Sequence, residues 1–253
     1  MSQPLARYLA GEKPVVVYAK AAAVFTDLHL SPSHPEEIQT FVAHLVPLAG
    51  RADALIILGD LFDAYLGRED FLHPVFDHLR AAIRFLHDRG CPTYLVRGNR
   101  DVLLSANDGK HLGFVVVDSI LLQIPHGSRV LLTHGDAFCL ADLPYQRLRR
   151  ILRFPGLRTF LRGLPLRLRR RIARRLRGYS VQEVARKPLD SLALTLSQVA
   201  ETMLEVEAEF AVIGHLHAFA RHDLGSGRTL LVLPAWDLGT AARMVPEMLD
   251  ETI

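Results

Sequence analysis

A chain of 253 residues, 49% hydrophobic and 23% charged, has the makings of one large domain or two small ones around a sizeable core. Disorder, collagen and a disulfide-stapled scaffold are excluded as whole-chain descriptions. Cys91 and Cys139 lack ligand-like spacing and read as free thiols of a reducing compartment. No apolar run reaches the ~18 residues of a membrane span. The N-terminus lacks a basic-then-apolar signal pattern, so the cytoplasmic side is expected. The formal charge of +3 hides an asymmetry: thirteen arginines and no acid lie between Arg147 and Arg177, leaving 17 basic and 27 acidic residues elsewhere. Charge laid out this way meets a phosphate group, a polyanion or an anionic membrane.

In chain order, residues 1–20 read as a tail with one accessory strand at Val15–Tyr18. The domain proper, 21–253, opens on a strand at Ala21–Thr26. A helix follows at 38–49, then a strand at Ala54–Leu58. Residues 71–88 read as one helix with Phe76, Leu79, Ile83 and Leu86 on a face, closed by Gly90 and Pro92 before the strand Thr93–Val96. Strands are expected at Phe114–Val117, Ile120–Ile124, Val130–Thr133, Phe210–Ile213 and Thr229–Leu233, with a helix at Leu192–Glu207. Strands alternating with helices, then hairpin-like pairs, predict an α/β fold with a mixed sheet or two packed sheets.

Five of these strands end in polar donors: Asp27-Leu28-His29, Gly59-Asp60, Gly98-Asn99-Arg100-Asp101, His134-Gly135-Asp136 and Gly214-His215-Leu216-His217. Ligands of open α/β sheets sit beyond the carboxyl ends of strands, so the five clusters are expected on one rim. A strand-like backbone would aim Asp27 and His29, and likewise His215 and His217, to one side. A lone Asp after a strand reads as a helix cap and a lone His as a surface or core residue; seven donors together read otherwise. Asp27, His29, Asp60, Asn99, His134, His215 and His217 suit two divalent ions sharing a bridging carboxylate, with Asp60 the natural bridge. Mixed oxygen and nitrogen donors fit Mn²⁺, Zn²⁺ or Fe²⁺, of which Mn²⁺ is the first choice.

These motifs, with Gly59-Asp60-Leu61-Phe62-Asp63, resemble the calcineurin-like metallophosphoesterases, and within them the UDP-2,3-diacylglucosamine diphosphatase family of lipid A biosynthesis. The resemblance spans about residues 21–245. It implies a four-layer α-β-β-α sandwich of two mixed β-sheets, with a helical insertion at about 140–200 forming a lid. It implies one ion on Asp27, His29, Asp60 and His217, and a second on Asp60, Asn99, His134 and His215. The reaction implied is attack of water on the α-phosphorus of UDP-2,3-diacylglucosamine, giving UMP and 2,3-diacylglucosamine 1-phosphate. Asp60, Asn99, Arg100 and His134 are the catalytic candidates. Where most of the superfamily has a histidine after Gly-Asn, this chain has Arg100, which cannot act as an acid near neutral pH but can clamp phosphate oxygens. Asp101 is expected to fix Arg100 or a ligand imidazole.

The resemblance extends to substrate contacts. Asp142, Arg177, Ser180 and Lys187 match the family's residues around sugar and diphosphate, beside Asn99, Arg100 and His215. The stretch Val184-Ala185-Arg186-Lys187-Pro188 departs from the family pattern. Trp236 matches a late tryptophan and reads as packing. In the arginine-rich segment Leu168, Ile172 and Leu176 recur at i+4 among arginines, and Leu157, Phe160, Leu161 and Leu164 add an apolar patch. A basic amphipathic helix reads as a surface for membranes or partners. The segment is therefore expected to be a lid and a foot on an anionic membrane, at the cytoplasmic face of the inner membrane, rather than a nucleic-acid groove or a plain helical cap. Other readings are a phosphodiesterase or nucleotide pyrophosphatase for a soluble substrate, a nuclease, and a non-enzymatic scaffold. The residues leave the oligomeric state open.

Overall fold

The computed structural model describes residues 13–125, 127–175, 194–238, 240 and 242–250. Its strands are β1 (Val15–Tyr18), β2 (Ala22–Phe25), β3 (Ala54–Ile57), β4 (Thr93–Val96), β5 (Phe114–Val117), β6 (Ile120–Gln123), β7 (Arg129–Leu132), β8 (Phe210–Ile213), β9 (Ala220–Asp223), β10 (Thr229–Val232) and β11 (Arg243–Val245). Its helices are α1 (Pro35–Leu45), α2 (Arg68–Phe71), α3 (Asp77–His87), α4 (Ala106–Leu112), α5 (Leu143–Arg153), α6 (Pro155–Gly163), α7 (166–175), α8 (Leu196–Glu205) and α9 (Glu247–Asp250). One sheet has the order β1-β6-β7-β8-β10-β9, the other β11-β2-β3-β4-β5. Both are mixed: β11 runs antiparallel to β2 beside parallel neighbours, and β6–β7 and β9–β10 are antiparallel pairs.

Alternation along the strands builds three apolar layers. Ala22, Val24, Ile56 and Val96 meet Leu122, Val130, Leu132 and Val212 between the sheets. Residues of opposite parity, Phe25, Leu55, Ile57 and Leu95, pack on Phe41 of α1 and on Leu79, Ile83 and Leu86 of α3. On the far side Leu131, Ala211, Ile213 and Val232 pack on Val199 and Met203 of α8. Each Val, Leu, Ile, Phe or Met among them contributes about 1.5–3 kcal/mol by leaving water, and every strand that carries a donor is anchored on both faces. The four-layer α-β-β-α sandwich is as the family resemblance implies.

Two local expectations are corrected, and two strands are added. The single helix over 71–88 is α2, a 3₁₀ turn at Pro74–Phe76, and α3. Pro74 lacks an N–H and cannot continue a helix, so it restarts one. The helix expected from Leu192 has its described start at Leu196. Strands β9 and β11 went unpredicted because Ala-Arg-His-Asp and Arg-Met-Val carry no apolar alternation. Val15–Tyr18 is the edge strand of the six-stranded sheet, parallel to β6. The insertion after β7 holds α5, α6 and α7, with Pro155 opening α6 and residue 165 separating α6 from α7.

Candidate metal centre

Five of the seven sequence-predicted donors have backbones in the left-handed region: Asp27 (φ 51°), His29 (50°), Asp60 (52°), His215 (70°) and His217 (57°). This corrects the strand-like reading of the two i, i+2 pairs. The strands have ended, and each donor lies on a turn that L-residues adopt at a cost of order 1–3 kcal/mol. Such strain persists where the surroundings fix it, and two glycines show how tightly they do. A Cβ on Gly98 would lie 2.1 Å from Asp60 Oδ1, and one on Gly214 would lie 1.9 Å from Thr26 Oγ1 and 2.5 Å from Asp27 Oδ2.

All seven donors meet on one rim. His217 Nε2 lies 3.4 Å from Asp27 Oδ1 and 3.4 Å from His29 Nε2. His29 Nδ1 is 4.0 Å from Asp60 Oδ2, and His134 Nε2 is 3.8 Å from Asp60 Oδ1 and 2.9 Å from Asn99 Oδ1. The His134 and His215 rings are 5.0 Å apart. Among the described residues, Asp27, His29 and His217 form one group of close ligand atoms, and Asp27, Asp60 and His134 another. Asp27 therefore belongs to both groups, with Asp60 between His29 and His134.

Outer contacts aim these donors. Thr26 Oγ1 and the His215 N–H donate to Asp27 Oδ2 at 2.6 and 2.8 Å. His134 Nδ1 lies 2.8 Å from the Leu58 carbonyl, which leaves Nε2 toward the rim. Asp101 does not reach Arg100's side chain or an imidazole, contrary to expectation. It is fully buried and accepts the N–H groups of Leu61 and Phe62 at 3.0 and 3.4 Å. Arg100 Nη1 instead meets Asp63 Oδ1 at 3.2 Å, with Nε 3.8 Å from Asp60 Oδ2.

The donor set fits divalent cations. Asp27 Oδ1 and His29 Nδ1 are buried without a hydrogen-bond partner. Burial raises the pKa of Asp60 and Asp101, and their proximity raises Asp101 further, so ionising both carboxylates at this desolvated point is unfavourable without a positive charge beside them. Burial lowers His29 and His215 to about 4, so both are neutral lone-pair donors at neutral pH. For His134, burial is outweighed by the charges of Asp60 and Asp27, which raise it.

The lid stands over this rim. A cavity of about 450 Å³ runs from Asn99 and Arg100 to an apolar wall that includes Leu103, Leu148, Leu152, Leu161 and Ile172. Its arginines are not all solvated. Arg149 donates to Asp136 at 2.7 Å and Arg153 to Asp118 at 2.8 Å. Arg162 meets Asp108 and Arg170 meets Asp70 at 3.0 and 3.1 Å. Arg169, 6% exposed, spans Leu66 O, Leu164 O and Glu69. The expected stripe of Leu168, Ile172 and Leu176 is divided: Leu168 is exposed while Ile172 lines the cavity, and Leu176 lies outside the described residues. Ile151, Phe154 and Phe160 are exposed, as are Arg147 and Arg150.

Asp142 is the N-cap of α5 and accepts the Tyr145 N–H at 3.0 Å. Arg177, Ser180 and Lys187 lie outside the described residues. Trp236 packs edge-on against Phe41 and His44 and donates to Thr240 O at 2.9 Å, the packing role expected of it. Sequence reasoning missed Arg97, Asp118, Arg149 and Arg153 as a buried group. The i, i+4, i+8 spacing of Tyr145, Arg149 and Arg153 was the available signal.

The model of the calcineurin-like phosphoesterase family matches residues 21–219. The chain is 38% identical over 228 residues to the UDP-2,3-diacylglucosamine hydrolase of Pseudomonas fluorescens, covering 88% of this chain and 91% of that protein. It is 34% identical over 234 residues to the UDP-2,3-diacylglucosamine hydrolase of Escherichia coli O7:K1, covering 91% and 96%. A solved dimetal phosphatase from Danio rerio aligns over 91% of each chain at 11% identity and a TM-score of 0.49. With donors on the rim of a two-sheet sandwich and a helical lid above them, the chain belongs to the calcineurin-like phosphoesterases, in the branch of the UDP-2,3-diacylglucosamine hydrolases.

Proposed function

We propose that this chain hydrolyses the diphosphate bond of UDP-2,3-diacylglucosamine, releasing UMP and 2,3-diacylglucosamine 1-phosphate. The observation that supports this most is the apolar cavity beginning at Asn99 and Arg100, beside the donor rim. A phosphodiesterase for small soluble diesters has no use for such a wall, whereas acyl chains need one.

Asp27, His29, Asp60 and His217 would hold one divalent ion, and Asp60, Asn99, His134 and His215 a second; Mn²⁺ suits this mixture of donors. Such ions lower the pKa of a water and neutralise phosphate charge. Arg100 would grip phosphate oxygens with its fork, which the contacts of its Nη1 with Asp63 and its Nε with Asp60 support. It stays charged and gives up no proton, which suits a leaving group that departs as a phosphate monoester. The Leu148, Leu152, Leu161 and Ile172 wall takes the acyl chains and keeps water from them. Asp142, Arg177, Ser180 and Lys187 are proposed to contact the sugar and diphosphate, Asp142 doing so from the cap of α5.

No helix among the described residues is long and apolar enough to cross a membrane. Exposed Ile151, Phe154 and Phe160 beside Arg147 and Arg150 support peripheral contact with an anionic bilayer at the cytoplasmic face of the inner membrane.

The test is UMP release with Mn²⁺ from UDP-2,3-diacylglucosamine, from an unacylated UDP-sugar and from an aryl phosphodiester. Preference for the acylated substrate is the expected result. Turnover of the aryl diester or the plain UDP-sugar without UMP from the lipid would assign the chain to a soluble diester or sugar nucleotide instead.

A further inference from the structure

Five charged side chains alternate in sign from the sheets into the lid: Arg97, Asp118, Arg153, Asp136 and Arg149. Arg97, just past β4, donates from Nε and Nη2 to the two carboxylate oxygens of Asp118, just past β5. Asp118 also accepts from Arg153 Nη1 at 2.8 Å, and Arg153 Nη2 donates to the Arg97 carbonyl at 3.0 Å. The same Nη2 lies 3.7 Å from Asp136 Oδ2, which accepts from Arg149 Nε at 2.7 Å and from the Tyr145 hydroxyl at 2.9 Å. All five side chains are at most 10% exposed.

The placement of the two loops is the informative part. Arg97 lies two residues before Asn99, and Asp136 two residues after His134. Asn99 Oδ1 and His134 Nε2 are themselves 2.9 Å apart, yet they follow strands of different sheets, β4 and β7. Their contact requires the two sheet ends to keep their separation. A buried planar guanidinium touching both loops and pinned at its other nitrogen by Asp118 sets that separation. A solvated lid arginine could not, because an exposed pair is worth little and holds no fixed geometry.

We propose that Arg153 of the lid helix α5 is a positioning residue that fixes Asn99 against His134, so that the lid is part of the reaction centre and not only its cover. The step from these two loops to one metal site rests on the function proposed above. His29 and His217, at the other end of the rim, are outside Arg153's reach and are unaffected by it.

The test is amide hydrogen exchange on the metal-free full chain, followed by Mn²⁺ titration. In Arg153→Met, exchange over residues 97–101 and 133–138 is expected to rise at least about tenfold, while residues 26–30 and 214–217 keep the wild-type rate. Asp118→Asn, which frees the guanidinium without altering α5, is expected to show the same pattern and serves if Arg153→Met folds poorly. Arg153→Lys is expected to behave like the methionine variant, because one ammonium cannot span both loops. The weaker of two Mn²⁺ ions is expected to lose about tenfold in affinity and the tighter to be retained. Exchange rising equally in all the donor loops, or in none, would overturn the proposal, as would wild-type behaviour of Arg153→Lys or unaltered affinity for both ions. A wild-type chain that binds fewer than two Mn²⁺ would remove the metal reading and leave the exchange pattern to decide the positioning role.

Discussion

The backbone N–H of Arg100 donates to Asp60 Oδ1 at 2.9 Å, so the loop after β4 holds the carboxylate that ends β3. The converse contact runs from Asp101, whose carboxylate accepts the N–H groups of Leu61 and Phe62 directly after Asp60. Each loop thus fixes the other, and the strained backbone of Asp60 is held from both sides.

Asp60→Ala removes the donor between His29 and His134. Turnover is expected to fall at least about 100-fold, more than an outer-contact residue costs, with metal content below one ion per chain. Steady-state rates and metal analysis on the same preparation check this. More than a tenth of wild-type activity with metal retained would contradict the bridging role.

Asp101→Asn leaves one oxygen for two buried N–H donors and turns an amide NH₂ toward one of them. A loss of about 1–3 kcal/mol is expected, lowering the melting temperature by roughly 3–10 °C in a domain of this size. Activity should fall about 10–100-fold. Calorimetry and kinetics separate the two effects.

The donor rim was legible because the chemistry demands particular residue types at strand ends: Asp27, Asp60 and His134 follow apolar runs that can only be buried strands. Their left-handed backbones were not: Asp and His are several-fold enriched in that region, yet most of them lie outside it. The lid was legible as helices broken at Pro155 and Pro165. The fate of its charge was not. Arg149 and Arg153 look like Arg147 and Arg150 in a stretch free of acids, and their partners Asp118 and Asp136 come from other elements. Local composition carries no record of a distant counter-ion.

Gly67 faces the slot that takes Arg169. A Cβ there would lie 2.0 Å from Arg169 Nη1 and 2.4 Å from Glu69 Oε2. Gly67→Ala should therefore act by dislodging Arg169, and each of Gly67→Ala and Arg169→Ala should cost about 1–3 kcal/mol. In a double-mutant cycle the pair should cost little more than the worse single change. Additive losses in thermal denaturation would show that the two act separately.

Burial alone would raise the Asp118 carboxyl, but the hydrogen bond and charge of Arg97, with the charge of Arg153, hold it below the usual carboxylate value. A folded-state pKa below the unfolded one contributes stability that is complete above the unfolded value and lost as pH falls through the folded one. The stability gap between wild type and Asp118→Asn should therefore be constant at neutral pH and narrow below about pH 4. Denaturant titrations from pH 7 to pH 2.5 check the sign. A gap that widens on acidification would contradict it.

Phe154 and Phe160 are 63% and 62% exposed on the lid. Replacing both with Ser should weaken binding to anionic vesicles about tenfold or more, from the lost burial of two aromatic rings. Vesicle sedimentation at fixed salt measures it, and unchanged binding would place the membrane contact elsewhere.

The most direct test is UMP release from UDP-2,3-diacylglucosamine by protein stripped of metal and then titrated with Mn²⁺. Release is expected to be absent at first and to plateau at two bound ions per chain. Full release from the stripped protein, or none with both ions bound, would contradict the account.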